Sequence, residues 1–145
     1  MSETISTFLT QDHRNCDEEF AKLENSVASE NWSEVKKLFN EFNLDLKHHF
    51  DMEEKVMFKA FEDKTGMRGG PTQVMRMEHS QMLQVLEQMQ NDIEKKDKNH
   101  FFGLSETLMM LMQQHNMKEE QMLYKMADMH LAQDSTNIIQ EMKSL

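Results

Sequence analysis

The chain has 145 residues, rich in good helix formers, with only four glycines and one proline, which predicts a single all-α domain over residues 1–145. Its formal net charge of −10 argues against nucleic acid or an anionic membrane as a partner, because either would repel it. One cysteine excludes an internal disulfide framework, and the lack of a long apolar run or a signal-like N-terminus predicts a soluble, cytoplasmic protein.

The first two helices are predicted from apolar positions that recur every three or four residues. Thr10 is placed to cap the first helix, which runs through DHRNCDEEFAKLENSVAS. Ser33 or Asn31 is placed to cap the second helix, in the short connection ENWSEV. The segment EDKTGMRGGP then holds three of the four glycines and the only proline, so it predicts the one clear break in the chain.

Two further helices are predicted after this break. The third covers about residues 72–92 and carries Val74 on its apolar stripe. The fourth follows the polar turn EKKDKNH and carries Met122 on its stripe. Because the links are short, the four helices predict an antiparallel up-down-up-down bundle, with a core at about residues 10–128 and a short C-terminal extension.

Two segments of the chain repeat one pattern of residue types. HFDMEEKVMF begins at His49 and HNMKEEQMLY begins at His115, and each reads His-x-x-x-Glu within an apolar, helix-periodic stretch. Four residues turn a helix through about 400°, so the histidine and the first glutamate of each segment point the same way. His49 therefore shares a helix face with Glu53, and His115 shares one with Glu119.

This pattern belongs to a longer internal repeat. The same residue types recur 66 positions apart, as the triads His13, His49, Glu53 and His79, His115, Glu119. In each triad 36 residues separate the two histidines, and their midpoint falls in a predicted turn, so an antiparallel helix pair would bring both to one level. Two such pairs packed together would place four histidines and two glutamates in the bundle interior.

Six inward residues of this kind predict a metal site. Buried carboxylates are strongly destabilising unless they are paired or bound to a cation. Imidazole and carboxylate ligands suit iron, manganese or zinc. Glu53 and Glu119 are placed to bridge two ions, each of which would have two histidines. With a bridging oxide or hydroxide, roughly one coordination position per ion would stay open.

Four acidic residues flank the predicted ligands. Asp12 and Glu78 precede the first histidine of each triad, and two roles are open to them: accepting hydrogen bonds from histidine N–H groups, or favouring a helix N-terminus as first-turn acids. Glu54 and Glu120 lie off the apolar stripe, so they are predicted to belong to solvated charged faces.

Other residues near the pattern are predicted to be structural. Cys16 is expected to be a small buried hydrophobe, with a place near the site as the alternative. Tyr124 is expected to be a packing residue, with a hydrogen bond near the bridge or a supply of electrons as the alternatives. The three histidines outside the repeat are predicted to lie on the surface; they are His48, His100 and His130.

The set His13, His49-x-x-x-Glu53, His79 and His115-x-x-x-Glu119 resembles the hemerythrin-like, or HHE cation-binding, family over about residues 10–128. The segment GGPTQVMRMEH also resembles bacterial members of that family. The resemblance implies a non-haem centre of two iron ions, Fe2+ or Fe3+, inside the bundle. It also implies a choice of activities, since family members bind or sense O2 or NO, handle iron, or act in the repair of damaged iron centres.

The chain departs from the oxygen carriers of that family at two positions. Those carriers have a fifth histidine where this chain has Met75, and they place their last carboxylate where this chain has Glu120. The repeat favours Glu119 as the ligand, with Glu120 as the alternative, and either Glu78 or Glu120 could take the place of the missing histidine. The more symmetric ligand set is closer to the branch that repairs iron centres.

We therefore expect a protein that binds or senses O2 or NO, with any signal or electron passing to a separate partner protein. The alternatives are an oxidoreductase that turns over peroxide, O2 or NO, an iron store or donor, and a metal-free structural bundle. The sequence does not distinguish an enzyme from a binding protein, and it does not predict an oligomeric state.

Overall fold

A computed structural model describes residues 3–145, and every regular element in that range is helical. The helices are α1 (Ile5–Ala28), α2 (Trp32–Asp51), α3 (Phe58–Thr65), α4 (Pro71–Lys95), α5 (Lys98–Lys118), α6 (Tyr124–His130) and α7 (Ser135–Lys143). Two π-helical segments, Met52–Met57 and Glu119–Leu123, join α2 to α3 and α5 to α6, and a 3-10 turn, Ala132–Asp134, precedes α7. The predicted all-α class is confirmed.

Helix α1 begins earlier than predicted. Thr4, not Thr10, is the N-cap: its hydroxyl accepts from the N–H of Thr7 at 3.0 Å, and the Thr7 hydroxyl accepts from the N–H of Thr4 at 2.9 Å. This reciprocal pair satisfies two of the free N–H groups at the helix start. The helix thereby gains more than one turn, and Ile5 and Leu9 on that turn are fully buried.

The connections between helices agree with the prediction in part. Asn31 is the N-cap of α2, although its side chain makes no capping hydrogen bond. The predicted break is present, because α3 ends at Gly66 in the left-handed conformation (φ 76°) and α4 begins at Pro71. The predicted turn EKKDKNH is wrong in extent, since α4 continues to Lys95 and only two residues, Lys96 and Asp97, separate it from α5.

Four long helical segments pack into a bundle. Helix α1 lies along α2, α4 lies along α5, and the two pairs meet through contacts of α2 with α4 and of α1 with α5. We call residues 5–65 the first half of the molecule and residues 71–130 the second half. The short C-terminal helix α7 docks on α1 and on the Met52–Met57 segment. It buries three apolar side chains, Ile138, Ile139 and Met142.

The buried apolar residues form two clusters with a polar layer between them. One cluster contains Cys16, Phe50 and Met82, and the other contains Leu9 and Leu123. In each half, the triad residues lie along the helices between residues of one apolar cluster and residues of the other. Among residues 3–145, no helix combines the length and the apolar character that crossing a membrane requires.

The π-helical segments change which residues face the interior. The N–H of Phe58 bonds to the carbonyl of Glu53, and the N–H of Tyr124 bonds to that of Glu119, so each turn closes five residues back instead of four. The extra residue rotates the next turn of the helix, and Leu123 is buried while Met122 is 62% exposed. The predicted stripe position of Met122 is therefore wrong. The prediction for Val74 is wrong too, since its side chain is exposed on α4.

Candidate metal centre

The six side chains of the two triads lie together in the polar layer. Four long helical segments supply them, and none is more than 3% exposed: His13, His49, Glu53, His79, His115 and Glu119. They form two groups of four, His13, His49, Glu53, Glu119 and Glu53, His79, His115, Glu119. Within each group, one ligand atom from each residue lies within 4.8 Å of all the others. The two groups share both glutamates.

Each glutamate reaches histidines of both halves. Oε1 of Glu53 lies 3.4 Å from Nε2 of His49 and 3.0 Å from Nε2 of His79. Oε1 of Glu119 lies 3.1 Å from Nε2 of His13 and 3.1 Å from Nε2 of His115. Both carboxylates therefore lie between the two pairs of histidines, which is the arrangement that a bridging ligand needs.

Two carboxylate oxygens in this layer make no hydrogen bond. They are Oε1 of Glu53 and Oε2 of Glu119, and both are shielded from solvent. A buried charged oxygen without a partner is strongly destabilising, so such atoms are rare unless an ion or a water supplies the missing contact. The donor set of imidazole and carboxylate is also what iron, manganese and zinc prefer. The residues present fit a pair of metal ions.

The outer nitrogen of every triad histidine is held by a carboxylate. Nδ1 of His49 donates to Asp12 at 2.7 Å, and Nδ1 of His115 donates to Glu78 at 2.8 Å. Of the two roles left open for these acids, the structure selects hydrogen bonding to histidine. Such contacts fix the ring orientation and leave Nε2 free to bind a metal.

Glu54 and Glu120 are the other two acceptors, so their assignment to solvated charged faces is wrong. Nδ1 of His79 donates to Glu54 at 2.6 Å, and Nδ1 of His13 donates to Glu120 at 2.7 Å. A signal was present in the sequence, because the Glu-Glu doublets also recur 66 positions apart. Their contact partners lie in the opposite half of the chain, and helical periodicity within one helix does not reveal such partners.

Cations hold two of these acceptors from outside. Arg14 donates to both oxygens of Glu120, at 2.9 and 3.3 Å, and Lys118 donates to Glu78 at 2.5 Å. Both acids are thus engaged between a surface cation and the outer face of a histidine. Of the two adjacent glutamates in the second half, Glu119 faces the centre and Glu120 lies outside it.

The charges of the centre reflect burial and mutual contact. Burial raises the pKa of Glu119 well above its usual value, and the neighbouring Glu53 adds to the shift. Burial acts in the same direction on Glu53, but His49 and the surrounding hydrogen bonds outweigh it and hold that pKa well below its usual value. Burial lowers the pKa of His13 to about 2, whereas Glu53 and Asp12 overcome burial and raise the pKa of His49 to about 9.

Tyr124 contacts the residues of this centre, so the preferred prediction of a packing residue is wrong and the alternative, a hydrogen bond near the two shared glutamates, is confirmed. It is fully buried, and its hydroxyl donates to Oε2 of Glu53 at 2.5 Å. The hydroxyl oxygen of Tyr124 also lies 3.0 Å from Oε1 of Glu119 and 3.1 Å from Nε2 of His13. The π-helical turn that starts at Glu119 directs the ring back over the site.

The remaining predictions for individual side chains hold. Cys16 is buried in an apolar cluster, and burial raises the pKa of its thiol, so it acts as a packing residue. The three histidines outside the repeat are exposed: His48, His100 and His130. Met75 is buried in the second apolar cluster.

Comparison with protein families identifies one match. The model of the family Hemerythrin, described as the hemerythrin HHE cation binding domain, matches residues 4–127. No curated protein and no solved structure gives a significant match to the chain.

Proposed function

Because this chain belongs to the hemerythrin HHE cation-binding family, we propose that it is a non-haem di-iron protein that binds or senses O2 or NO. His13 and His49 hold one iron, His79 and His115 hold the other, and two carboxylates, Glu53 and Glu119, bridge them. A bridging oxide or hydroxide completes the pair. The four long helical segments run up, down, up and down, which brings the paired histidines to one level.

One observation carries this proposal. Glu53 and Glu119 belong to both groups of donors, and each presents a buried oxygen that makes no hydrogen bond. A single ion would leave two histidines on the far side of the carboxylates without a role. Two ions use both glutamates and all four histidines, and they neutralise carboxylates that a protein interior otherwise tolerates poorly.

Bound iron would supply the electrons and the open coordination positions that a diatomic ligand requires. The protein has two tasks around it. The apolar clusters on both sides of the polar layer, which contain residues such as Phe50 and Leu123, keep bulk water away. The acids on the outer nitrogens, including Asp12 and Glu78, hold each imidazole with Nε2 directed inward. Signal output or electron delivery then falls to a separate partner.

Metal content and an optical titration test this function. About two irons per chain after reconstitution, with a visible spectrum of the reduced protein that changes on adding O2 or NO and reverts on removing it, would support a binding protein. Continuous consumption of O2, NO or peroxide with a reductant present would instead indicate an oxidoreductase. Less than about half an iron per chain would overturn the di-iron assignment.

A further inference from the structure

The two halves of the centre differ in the aromatic ring that follows each Glu-Glu pair. Tyr124 lies 66 positions after Phe58, the same offset that relates the two triads, so the two rings are counterparts in the repeat. Phe58 is fully buried and lies over His79, with ring centroids 5.8 Å apart and planes at 13°. Tyr124 lies over His13, with centroids 5.5 Å apart and planes at 26°. Only the second of these rings carries an oxygen.

That oxygen contacts all four residues of one donor group. It lies 2.5 Å from Oε2 of Glu53, 3.0 Å from Oε1 of Glu119, 3.1 Å from Nε2 of His13 and 3.5 Å from Nε2 of His49. Neighbouring ligands of a six-coordinate ion with bonds of about 2.1 Å lie roughly 3.0 Å apart. The phenol oxygen of Tyr124 is therefore spaced from these four as a fifth ligand of the same ion would be.

Hydrogen bonding alone accounts poorly for this spacing. A phenol has a single proton, and Tyr124 gives it to Glu53. The contact with Nε2 of His13 then brings a second electron-rich atom close to this oxygen, because the ring proton of His13 lies on Nδ1, where Glu120 accepts it. A cation among these donors would stabilise the whole set.

The other donor group has no comparable oxygen. The side chain of Phe58 has no atom that could bind a metal ion beside His79 and His115. A cavity of about 100 Å³ touches one member of this group, His115, and is lined in part by Glu78, which holds the outer nitrogen of that ring.

We propose that Tyr124 is a fifth protein ligand of the ion held by His13 and His49, so that O2 or NO binds at the ion held by His79 and His115. With the bridging oxide or hydroxide, the first ion has six ligands and the second has five. The phenol proton is released to solvent when the metal binds. This differs from the expectation of one open position on each ion, and it rests on the proposed di-iron function.

Tyr124 is the only tyrosine in the chain, which makes the spectroscopic test specific. The full chain, reconstituted with iron and oxidised, is expected to show a visible phenolate-to-iron(III) charge-transfer band. Its resonance Raman spectrum should contain phenolate ring modes that shift when the protein is grown with ring-deuterated tyrosine. This measurement needs no variant. Two irons per chain with no such modes would overturn the ligation by Tyr124 and leave the di-iron proposal standing, whereas absence of iron would overturn the di-iron proposal itself.

A pair of matched variants tests the consequence for ligand binding. Tyr124→Phe removes the hydroxyl that distinguishes the two rings and should lose the charge-transfer band while keeping about two irons per chain. The NO bound per reduced chain should rise from about one to about two, because a second position opens. Phe58→Tyr supplies the same hydroxyl to the other half and should lower NO binding instead. An unchanged NO stoichiometry in both iron-loaded variants would contradict the proposal.

Discussion

Glu54 in the first half of the molecule accepts a hydrogen bond at 2.6 Å from Nδ1 of His79 in the second half. The reverse relationship holds Glu120 of the second half against His13 of the first, at 2.7 Å. Each half therefore fixes the ring orientation of a histidine in the other. Packing of the two halves and the orientation of the histidines in the two donor groups are coupled through these two contacts.

We expect Glu54→Gln to weaken iron binding by roughly 10- to 100-fold, because an amide is a weaker acceptor and His79 loses its fixed orientation. Iron affinity can be measured by competition with a chelator. Asp51→Asn is the matched control, since it removes the same charge one turn away on an exposed side chain that pairs only with Lys55. Equal losses of affinity in the two variants would show that overall charge, not the contact with His79, determines binding.

Substituting a glutamate that belongs to both donor groups should lower the iron content more than substituting a histidine that belongs to one group. Glu119→Gln is expected to reduce iron from about two to less than about half per chain, because both donor groups lose a ligand. His115→Asn affects one group only and should leave about one iron. The exposed Glu106, changed to Gln, provides a control on α5. Metal analysis of the reconstituted proteins is the measurement. One iron retained by Glu119→Gln would argue against bridging.

Removal of iron should destabilise the protein measurably. A ligand present at about 100 times its dissociation constant adds about 2.7 kcal/mol to the free energy of unfolding, so chelation should lower the melting temperature of the wild type. Far-UV circular dichroism, which reports helix content, follows the transition with and without chelator. Glu119→Gln, which cannot hold the pair of ions, should melt at the same temperature in both conditions. A wild-type melting temperature unaffected by chelation would contradict a structural contribution from the metal.

The pH dependence of the free energy of unfolding in acid should report the ionisation of Glu62, which belongs to neither donor group. Glu62 accepts hydrogen bonds from Arg76 and Thr72, both at 2.5 Å, and the Arg76 contact holds the pKa of Glu62 below its usual value despite burial. The folded state then binds fewer protons than the unfolded state. The stabilisation is present above the unfolded pKa of about 4.3 and is lost as the pH falls through the lower folded value.

Glu62→Gln should therefore lower the free energy of unfolding by about 1.5 kcal/mol at about pH 7, with a smaller difference from wild type below a pH of about 4. Urea denaturation of the metal-free proteins at both pH values measures this without interference from acid release of iron. Asp63→Asn, whose pair with Arg68 is exposed, should change stability by less than about 0.5 kcal/mol. A difference for Glu62→Gln that is the same at both pH values would exclude ionisation of Glu62 as the cause.

The sequence alone determined the helical class and the six side chains that converge, for a reason that can be stated. His49 and Glu53 lie four residues apart on one helix, and a spacing of 36 residues places His13 opposite His49 in a helix pair. Both relationships follow from regular helical geometry within one half of the chain. As metal ligands these residues stay a prediction until iron is measured.

Tertiary structure decided the features that depend on irregular turns and on contacts between the halves. The π-helical turns starting at Glu53 and Glu119 insert a residue that a constant helical period does not anticipate, so Tyr124 turned inward and Met122 outward. Glu54 acquired its role from a histidine in the other half. Helical periodicity is a local property of the chain, whereas these features depend on how two helix pairs pack around buried carboxylates, and that packing exists only in the folded molecule.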